Sequence, residues 1–477
     1  MDEAAVRTIV KEVVESLIRQ PIPAQAVSAG GSVGLFATMD EAVQAAVKAQ
    51  RQLMGMSLAA RGRILHAIRE TCLKHAEDFA RRTIEETGMG RLDDKIGKFK
   101  TVADLTPGLE ILQPEAFTGD HGLTVIERAP YGVIGAVTPV THPLPTMANN
   151  ALCIIAAGNA AVFNPHPRSK KVFAYGIDVF NRAMAATGAP IPLVSTVVEP
   201  TLETSRELFH HPDIRLLLVT GGPGVVKEAL KSSKKAITAG PGNPPVVVDE
   251  TADLAKAARS IIIGGSFDNN LLCIGEKEIF AVEAIFDDLR RELIRQGCVE
   301  LNREQVDRLA RLAFGVKEGP LTFGAVEPHL NRELVGQHAS VLARAIGLNN
   351  VPDSCRLLIG ETGPDHLWVM EEQMMPFVPL VRARDVNHAI DMALAAERGY
   401  GHTAIIHSRN IANMDKMARL MNVTLFIKNG PCIAGLGVGG EGYTSFSIAS
   451  PTGEGVVTAR HFTRERRCTL VDYFRIV

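Results

Sequence analysis

One cysteine, Cys273, stands in a context that suits nucleophilic chemistry. It ends the run Ser266-Phe-Asp-Asn-Asn-Leu-Leu-Cys273, between a segment with helical periodicity, 253–263, and a strand-like segment, 278–282. A loop between two regular elements can present a thiol to a substrate, and the thiolate form is a strong nucleophile. A free cysteine is more often buried and inert. Its assignment as a nucleophile therefore depends on the rest of the chain.

Two strand-ending turns have the composition of anion-binding loops. In Leu216–Lys227 an apolar strand pattern runs into Thr-Gly-Gly-Pro-Gly and then into a helical pattern, and Val162–Lys171 ends another strand in the same way. Such turns aim backbone N–H groups and a helix N-terminus at an anion, although each could also be purely structural. The literal GxGxxG at 435–440 precedes no helical pattern and is predicted to be a loop.

The composition excludes several classes of function. The length of 477 residues predicts two or three domains. A net charge of −2 gives no basic surface for nucleic acid, and no apolar run approaches the length of about 18 residues that a membrane span needs. The seven cysteines are scattered, with no CxxC pair and no His/Cys cluster that would indicate a metal. Reduced thiols in the cytoplasm are the expectation.

Helical and strand patterns alternate along most of the chain, which predicts an α/β protein with parallel-rich sheets. Segments 40–53 and 59–86 are predicted to be helical. The first unit then alternates strands at 131–137, 160–163, 193–198, 215–219 and 236–238 with helices at 145–157 and 169–186. A second unit repeats the alternation from about residue 246 to about residue 427.

The N-terminus is organised differently. Residues 1–20 form an amphipathic helix pattern, and the next segment, 21–34, has the composition of a linker. The apolar stripe consists of Val6, Ile9, Val10, Val13 and Leu17. A tethered helix of this kind needs a partner surface to bury its stripe, unless it packs on its own domain. It is not a secretory signal, because it is acidic and lacks a continuous apolar core.

Several motifs together resemble the aldehyde dehydrogenase superfamily, and within it the CoA-acylating enzymes of bacterial microcompartments that act in propanediol and ethanolamine utilisation. The motifs are ETGMG (86–90), PYGVIGAVTP (130–139), AAGNAAVFNPHP (156–167), VTGGPG (219–224), AGPGNPPVVVDETAD (239–253), SFDNNLLC (266–273), EEQMMPFVPLV (371–381), HTAIIHSRN (402–410) and KNGPCIAGLGVGGEGYT (428–444). The resemblance covers nearly the whole chain.

The resemblance implies two α/β domains and a small β extension that joins subunits into a homodimer or homotetramer. The implied dinucleotide-binding domain comprises 35–107 and 129–245, and the implied catalytic domain comprises 246–445. The extension comprises 108–128 and 446–477. Residues 1–20 resemble the encapsulation peptide of the group, which implies shell proteins as partners and a location inside a cytoplasmic microcompartment.

The resemblance also implies a mechanism. The Cys273 thiolate attacks an aldehyde, the adduct gives a hydride to NAD, and a thioester remains on the cysteine. The oxyanion is stabilised by the Cys273 backbone N–H and by a side chain at the position where the family has an asparagine. That position is His142 here, and an imidazole N–H can also donate. The alternative is that His142 only begins a helix.

Matching the family's motifs places further residues at the cofactor. The implied cofactor-binding residues are Thr138, Pro139, Asn164, His166, Pro167, Arg168, Thr220, Gly221, Gly222, Val225, Ala239, Gly240 and Glu372. Glu372 matches the residue that holds the nicotinamide ribose, and its alternative is a solvated carboxylate. The acidic residue of many NAD-specific relatives aligns with Pro167, so NADP remains open beside NAD.

The fate of the thioester depends on Ala239. Alignment on Gly242 and Pro245 places Ala239 where hydrolytic relatives have a glutamate that activates water, and an alanine cannot act as a base. The sequence therefore favours transfer of the acyl group to coenzyme A. The alternatives are a hydrolytic aldehyde dehydrogenase that releases a free acid and an inactive structural protein with the same fold.

Overall fold

The computed structural model describes residues 31–475, so the predicted N-terminal helix and nearly all of the linker lie outside the described residues. Two parallel sheets organise the described chain. The six strands of the first sheet follow the spatial order Leu35–Phe36, Val194–Val197, Ala160–Pro165, Val133–Thr138, Ile214–Thr220 and Lys235–Ala239. The helices and 3-10 turns of this part are Met39–Met54, Leu58–Thr87, Leu92–Leu105, Leu109–Ile111, Pro143–Ala156, Pro167–Ser169, Lys170–Ala185, Leu202–His210 and Pro223–Leu230.

The second sheet has seven strands in the described residues. Their order is Val299–Glu300, Leu358–Glu361, Phe377–Ala383, Glu278–Val282, Pro245–Val248, Thr403–His407 and Leu425–Lys428. Its helices and 3-10 turns are Leu254–Ser266, Phe267–Asn270, Glu283–Arg295, Arg303–Phe314, Ala339–Ala345, Leu367–Met370, Val386–Glu397, Ile411–Met421 and Cys432–Leu436. The predicted α/β class with parallel sheets is confirmed. The GxGxxG segment begins at the end of a short 3-10 turn and continues as a loop.

Burial explains why these segments become strands. Both sheets have helices packed against them, so continuous apolar runs such as Val246–Val248 and Leu216–Val219 are buried on each face. Helix starts follow the local chemistry as well. Asp253 caps the helix Leu254–Ser266 by accepting a hydrogen bond from Lys256 N at 3.1 Å.

A separate antiparallel sheet joins Glu115–Gly119, Gly122–Pro130 and Thr463–Val471. This sheet contains segments from both parts of the predicted extension. Residues 446–462 lie elsewhere. A short hairpin, Ile448–Ala449 with Gly455–Val456, and the 3-10 turn Ala459–Phe462 belong to this segment, which contributes Phe446 and Phe462 to the core of the first sheet.

No helix within residues 31–475 has the length and hydropathy needed to cross a membrane. The same residues hold no group of three or more His, Cys, Asp or Glu side chains arranged to bind a metal.

Candidate active site

A cavity of about 420 Å³ contains nearly every residue that the sequence assigned to chemistry. Its walls include Thr138, Pro139, His142, Asn164, His166, Pro167, Thr220, Gly221, Gly222, Val225, Ala239, Gly240, Cys273 and Glu372. Arg168 is the one predicted residue that does not line it. The Arg168 guanidinium instead lies 3.4 Å from the carbonyl oxygen of Thr87, the last residue of the helix Leu58–Thr87.

The topology explains why distant segments meet here. In the first sheet the chain order reverses between Val133–Thr138 and Ile214–Thr220, and ligands of open α/β sheets bind at the carboxyl ends of strands beside such a reversal. Five residues, 240–244, then carry the chain from the end of Lys235–Ala239 to the start of Pro245–Val248. The loop of Cys273 precedes the neighbouring strand Glu278–Val282, so the cysteine faces the end of the first sheet.

The nucleophile loop is polar in sequence, and its polar side chains are buried. Asp268, Asn269 and Asn270 are completely buried and adopt left-handed φ values of 49°, 58° and 60°. Left-handed backbone costs most residues about 1–2 kcal/mol each, and Asp and Asn tolerate it best among residues with a side chain. The Asp-Asn-Asn sequence therefore allows a tight buried turn before Cys273.

Side chains from other elements hold this turn. The Asp268 carboxylate accepts from Lys95 Nζ at 3.0 Å and from Lys98 Nζ, both on the helix Leu92–Leu105. Asn269 Nδ2 donates to Gly336 O at 2.7 Å, and Asn269 Oδ1 accepts from Arg91 Nε at 2.7 Å. Breaking these contacts would leave buried charges unpaired, so the turn is strongly specified.

The Cys273 thiol is half-buried and faces opposing charges. Burial raises its pKa to about 12, and the Glu372 carboxylate adds to this rise. The buried ammonium groups of Lys277 and Lys98 act in the opposite direction and favour the thiolate. The resting thiol is therefore protonated at neutral pH, and attack on a carbonyl requires transfer of its proton to a neighbouring base.

His142 lies at the N-cap of the helix Pro143–Ala156, with its ring 5.8 Å from the Phe446 ring in an edge-on arrangement. Burial lowers its pKa well below 6.5, and the nearby Lys98 and Lys95 lower it further. The imidazole is therefore neutral and carries one N–H donor. Its Nδ1 is buried and has no hydrogen-bond partner within the described residues, which leaves the ring free to bind a group in the cavity.

The dinucleotide wall combines a helix N-terminus with an unpaired hydroxyl. The helix Pro223–Leu230 follows Gly222 without any side-chain cap, so its first N–H groups can bind an anion such as a pyrophosphate. Thr138 Oγ1 is buried without a partner in the described chain. Asn164, by contrast, uses its amide internally: Oδ1 accepts from Thr204 and Nδ2 donates to Ser205, each at 2.7 Å. These features fit a bound dinucleotide, with Asn164 shaping the wall.

The far edge of this wall is the turn that contains His166 and Arg168. His166 Nδ1 accepts from Arg168 N at 3.1 Å, which fixes the ring at the turn. Burial lowers the His166 pKa, and the neighbouring Arg168 and Arg332 guanidinium groups lower it further. Position 167 is a proline and not an acidic residue. The carboxylates near this turn are Glu86, which accepts from Lys171 N and Val172 N, and Glu199, which accepts from Lys170 Nζ.

Among the residues that line the cavity, Glu372 is the only carboxylate. Burial raises its pKa, while Lys277 and the Gly242 N–H partly oppose the rise. A raised pKa makes this carboxylate a better proton acceptor than an exposed one. Ala239 also lines the cavity, where its side chain is a methyl group that cannot act as a base.

A second, mainly apolar cavity of about 350 Å³ lies beside the nucleophile loop. Its walls include Leu272, the neighbour of Cys273, and Phe446, which packs on His142. Ile433 contributes as well. This cavity can hold an apolar substituent close to the thiol.

His402 was missed as a functional candidate, although it begins the quoted motif HTAIIHSRN. A Cβ atom added to Gly242 would lie 2.5 Å from the Cys273 carbonyl oxygen and 2.9 Å from His402 Cγ, so both groups pack against that glycine. Burial lowers the His402 pKa to about 4, and its Nε2 has no partner within the described residues. A neutral imidazole whose Nε2 has no partner in the described residues therefore packs close to the backbone of Cys273.

Comparison with known proteins shows to which family the chain belongs. The model of the aldehyde dehydrogenase family matches residues 19–299. An acetaldehyde dehydrogenase (acetylating) from Bilophila wadsworthia is 51% identical over 450 residues, which are 94% of this chain and 92% of that protein. The chain belongs to the aldehyde dehydrogenase family. Its closely similar relatives thus include an acetylating member.

Solved structures of the family resemble the whole described fold. A propionaldehyde dehydrogenase from the Clostridium phytofermentans fucose utilisation bacterial microcompartment shares 42% identity, with a TM-score of 0.89 over 93% of this chain and 100% of that one. A propionaldehyde dehydrogenase from Rhodopseudomonas palustris, described with bound CoA and an acylated cysteine, shares 45% identity, with a TM-score of 0.88 over 92% and 98%.

Proposed function

We propose that this protein is a CoA-acylating aldehyde dehydrogenase that oxidises a short-chain aldehyde and forms an acyl-CoA. The observation that carries the proposal is a thiol, Cys273, at a cavity whose wall also contains Ala239. The sequence aligns Ala239 with the water-activating glutamate of hydrolytic relatives, and an alanine cannot act as a base. The enzyme uses NAD(P) and coenzyme A, as acylating aldehyde dehydrogenases do. An acylated cysteine and bound CoA in a relative with 45% identity support the same chemistry.

The residues can be assigned roles in two half-reactions. Cys273 Sγ bonds to the carbonyl carbon, its proton passes to a base, and Glu372 is the carboxylate placed to accept it. The Cys273 N–H and the His142 imidazole N–H donate to the oxygen as charge develops there. A bound nicotinamide ring supplies the acceptor for the hydride. Loss of hydride from the oxyanion adduct leaves a thioester on Cys273, which the thiol of CoA cleaves to give acyl-CoA and free Cys273.

The aldehyde is proposed to be acetaldehyde or propionaldehyde. The apolar cavity beside Leu272 suits a short alkyl group, because its walls provide apolar contacts. Lys98 borders one side of this cavity. The names of the similar relatives cover both aldehydes. Position 167 holds no carboxylate that would repel the additional phosphate of NADP or that of CoA.

The location and assembly form a further part of the proposal. Residues 1–20 are proposed to bind shell proteins of a microcompartment, in line with the origin of the Clostridium phytofermentans relative. The antiparallel sheet Glu115–Gly119, Gly122–Pro130 and Thr463–Val471 leaves Phe117, Leu470 and Val471 exposed. An exposed apolar sheet of this kind suits a subunit contact in a homodimer or homotetramer.

The test measures both products of the reaction. Purified protein is mixed with propionaldehyde and NAD, with and without saturating CoA, and NADH absorbance is followed while mass spectrometry identifies the acyl product. We expect CoA to accelerate NADH formation and propionyl-CoA to be the product. Mainly free propionate with CoA present would favour the hydrolytic alternative. No NADH would favour the inactive one, and Cys273→Ala is the matched control, folded but without turnover.

A further inference from the structure

The completely buried ammonium group of Lys277 donates hydrogen bonds to the loop that precedes Cys273. Lys277 immediately precedes the strand Glu278–Val282 and has no exposed side-chain surface. Its Nζ donates to Asn270 O at 2.9 Å, to Asn270 Oδ1 at 2.5 Å and to Leu272 O at 3.3 Å. An ammonium has three N–H donors, and all three acceptors belong to the loop before Cys273.

The Leu272 contact bears directly on the reaction. The Leu272 carbonyl and the Cys273 N–H belong to one peptide group, and that N–H is the backbone donor proposed for the oxyanion. Leu272 O also accepts from Gly275 N at 3.0 Å, so two donors bind the carbonyl end of this peptide. Hydrogen bonds in series polarise one another, and a charged donor has the larger effect. The Cys273 N–H should therefore be a stronger donor while Lys277 is charged.

The charge of Lys277 also acts on the reacting thiol and lowers its pKa. The charged groups around Cys273 are the Glu372 carboxylate, which opposes the thiolate, and the Lys277 and Lys98 ammonium groups, which favour it. Lys98 is held by Asp268, which offsets part of its charge. Lys277 has neutral oxygens as its hydrogen-bond acceptors. Burial lowers its pKa, and the neighbouring Glu372 and Cys273 oppose that decrease.

We propose that Lys277 is a positioning residue for acyl transfer: its buried ammonium fixes the left-handed Asn270 turn, polarises the Leu272–Cys273 peptide and stabilises the Cys273 thiolate. This inference rests on the proposed function, because it assigns Lys277 a part in the chemistry of that same cysteine. A purely structural lysine would instead hold the loop without changing the reactivity of the thiol.

The test separates reactivity from folding. The rate at which iodoacetamide alkylates Cys273 is measured by peptide mapping between pH 6 and 9, in wild type and in Lys277→Met. We expect at least about a tenfold slower alkylation in the variant at each pH, since a nearby cation shifts a thiol pKa by about one unit or more. The kcat for acyl-CoA formation should fall by a similar or larger factor, with the KM for aldehyde little changed.

Lys277→Gln keeps N–H donors without the charge and should show a smaller decrease of the same kind. Lys74→Met, at an exposed lysine on the helix Leu58–Thr87, is the matched control and should match wild type. Thermal unfolding and circular dichroism monitor the fold. Alkylation at the wild-type rate in folded Lys277→Met would overturn the proposal, as would failure of both Lys277 variants to fold.

Alkylation needs neither cofactor nor aldehyde, so the inference and the proposed function can fail separately. Slowed alkylation together with a wild type that makes no acyl-CoA would contradict the function alone. Normal acyl-CoA formation in wild type with unchanged alkylation in Lys277→Met would contradict the inference alone.

Discussion

At the scale of single residues, one buried cation acts in the same direction on two neighbouring groups and lowers the pKa of each. Lys98 favours the thiolate of Cys273 and disfavours the protonated form of His142. Burial lowers the pKa of Lys98 itself to about 8, with Asp268 opposing this decrease. One cluster therefore favours an anionic nucleophile and a neutral imidazole in the same cavity, which is the combination that nucleophilic attack with an N–H donor requires.

Replacing His142 tests its role as oxyanion donor. We expect His142→Ala to lower kcat for acyl-CoA formation by about 10²–10³-fold, the usual effect of losing one oxyanion donor. His142→Gln, which retains an N–H donor, should recover part of the loss. Steady-state kinetics of both variants provides the measurement, and an alanine variant with the wild-type kcat would return His142 to a helix-starting role.

Replacing Ala239 tests why the thioester reacts with CoA and not with water. We expect Ala239→Glu to produce measurable free acid in the absence of CoA, because a carboxylate at this wall can activate water towards the thioester. Ala239→Gln adds the same volume without a base and serves as the control. Mass spectrometry of the product distinguishes them, and equal acid from the two variants would contradict the assigned position.

At the scale of elements, the strands and most helices follow from periodicity, and the nucleophile loop does not. The helix Leu254–Ser266 and the strand Glu278–Val282 lie where the sequence predicts them. The loop between them contains the polar residues Asp268, Asn269 and Asn270, all of which are buried. Their burial depends on Lys95 and Lys98, which are about 170 positions away in sequence, and no local pattern contains that pairing.

The helix Leu92–Leu105, which carries both lysines, was not predicted. Its apolar positions Leu92, Ile96 and Phe99 do follow a helical period, so a signal was present in the sequence. Two lysines on such a helix resemble a solvated face, and their burial becomes apparent only from the tertiary structure. The turns of the cavity wall are local to strand ends and therefore visible in the sequence. His402 contributes through its contact with the distant Gly242, and the complete burial of Lys277 becomes apparent only from the tertiary structure.

The second sheet contains a carboxyl group without partners, and its effect on stability should depend on pH. Both oxygens of Glu278 are buried and lack hydrogen-bond partners within residues 31–475, and burial raises its pKa well above 4.5. Above pH 4.5 the unfolded state releases this proton while the folded state keeps it. Stability is therefore lost as pH rises from about 4.5 towards the folded-state pKa.

Glu278→Gln removes this titration, so its free energy of unfolding relative to wild type should increase as pH rises. We expect an advantage on the order of 1 kcal/mol by pH 8 that disappears near pH 4.5. Urea unfolding at several pH values measures it. Glu283→Gln, at an exposed glutamate on the next helix, should show no such trend, and a pH-independent difference for Glu278→Gln would contradict the explanation.

At the scale of the whole molecule, the two sheets meet at complementary ends. The carboxyl ends of the first sheet supply the dinucleotide wall, and the amino end of Glu278–Val282 receives the nucleophile loop. The family resemblance predicts a dinucleotide-binding domain and a catalytic domain, and each parallel sheet is formed by a separate part of the chain. Phe446 and Phe462, predicted to belong to the extension, pack instead in the core of the first sheet, because alternating strand patterns do not record which core a C-terminal segment joins.

The N-terminal segment provides the last prediction, which concerns the whole chain. The stripe formed by Val6, Ile9, Val10, Val13 and Leu17 is apolar surface that a partner can bury, and an isolated helix of this length is marginal in water. We expect deletion of residues 1–20 to leave kcat and KM close to wild type while abolishing recruitment to microcompartments. Fluorescence microscopy of residues 1–34 fused to a fluorescent protein should show recruitment, and Leu17→Asp in the same fusion should reduce it. Loss of catalytic activity on deletion would show instead that the segment is part of the enzyme.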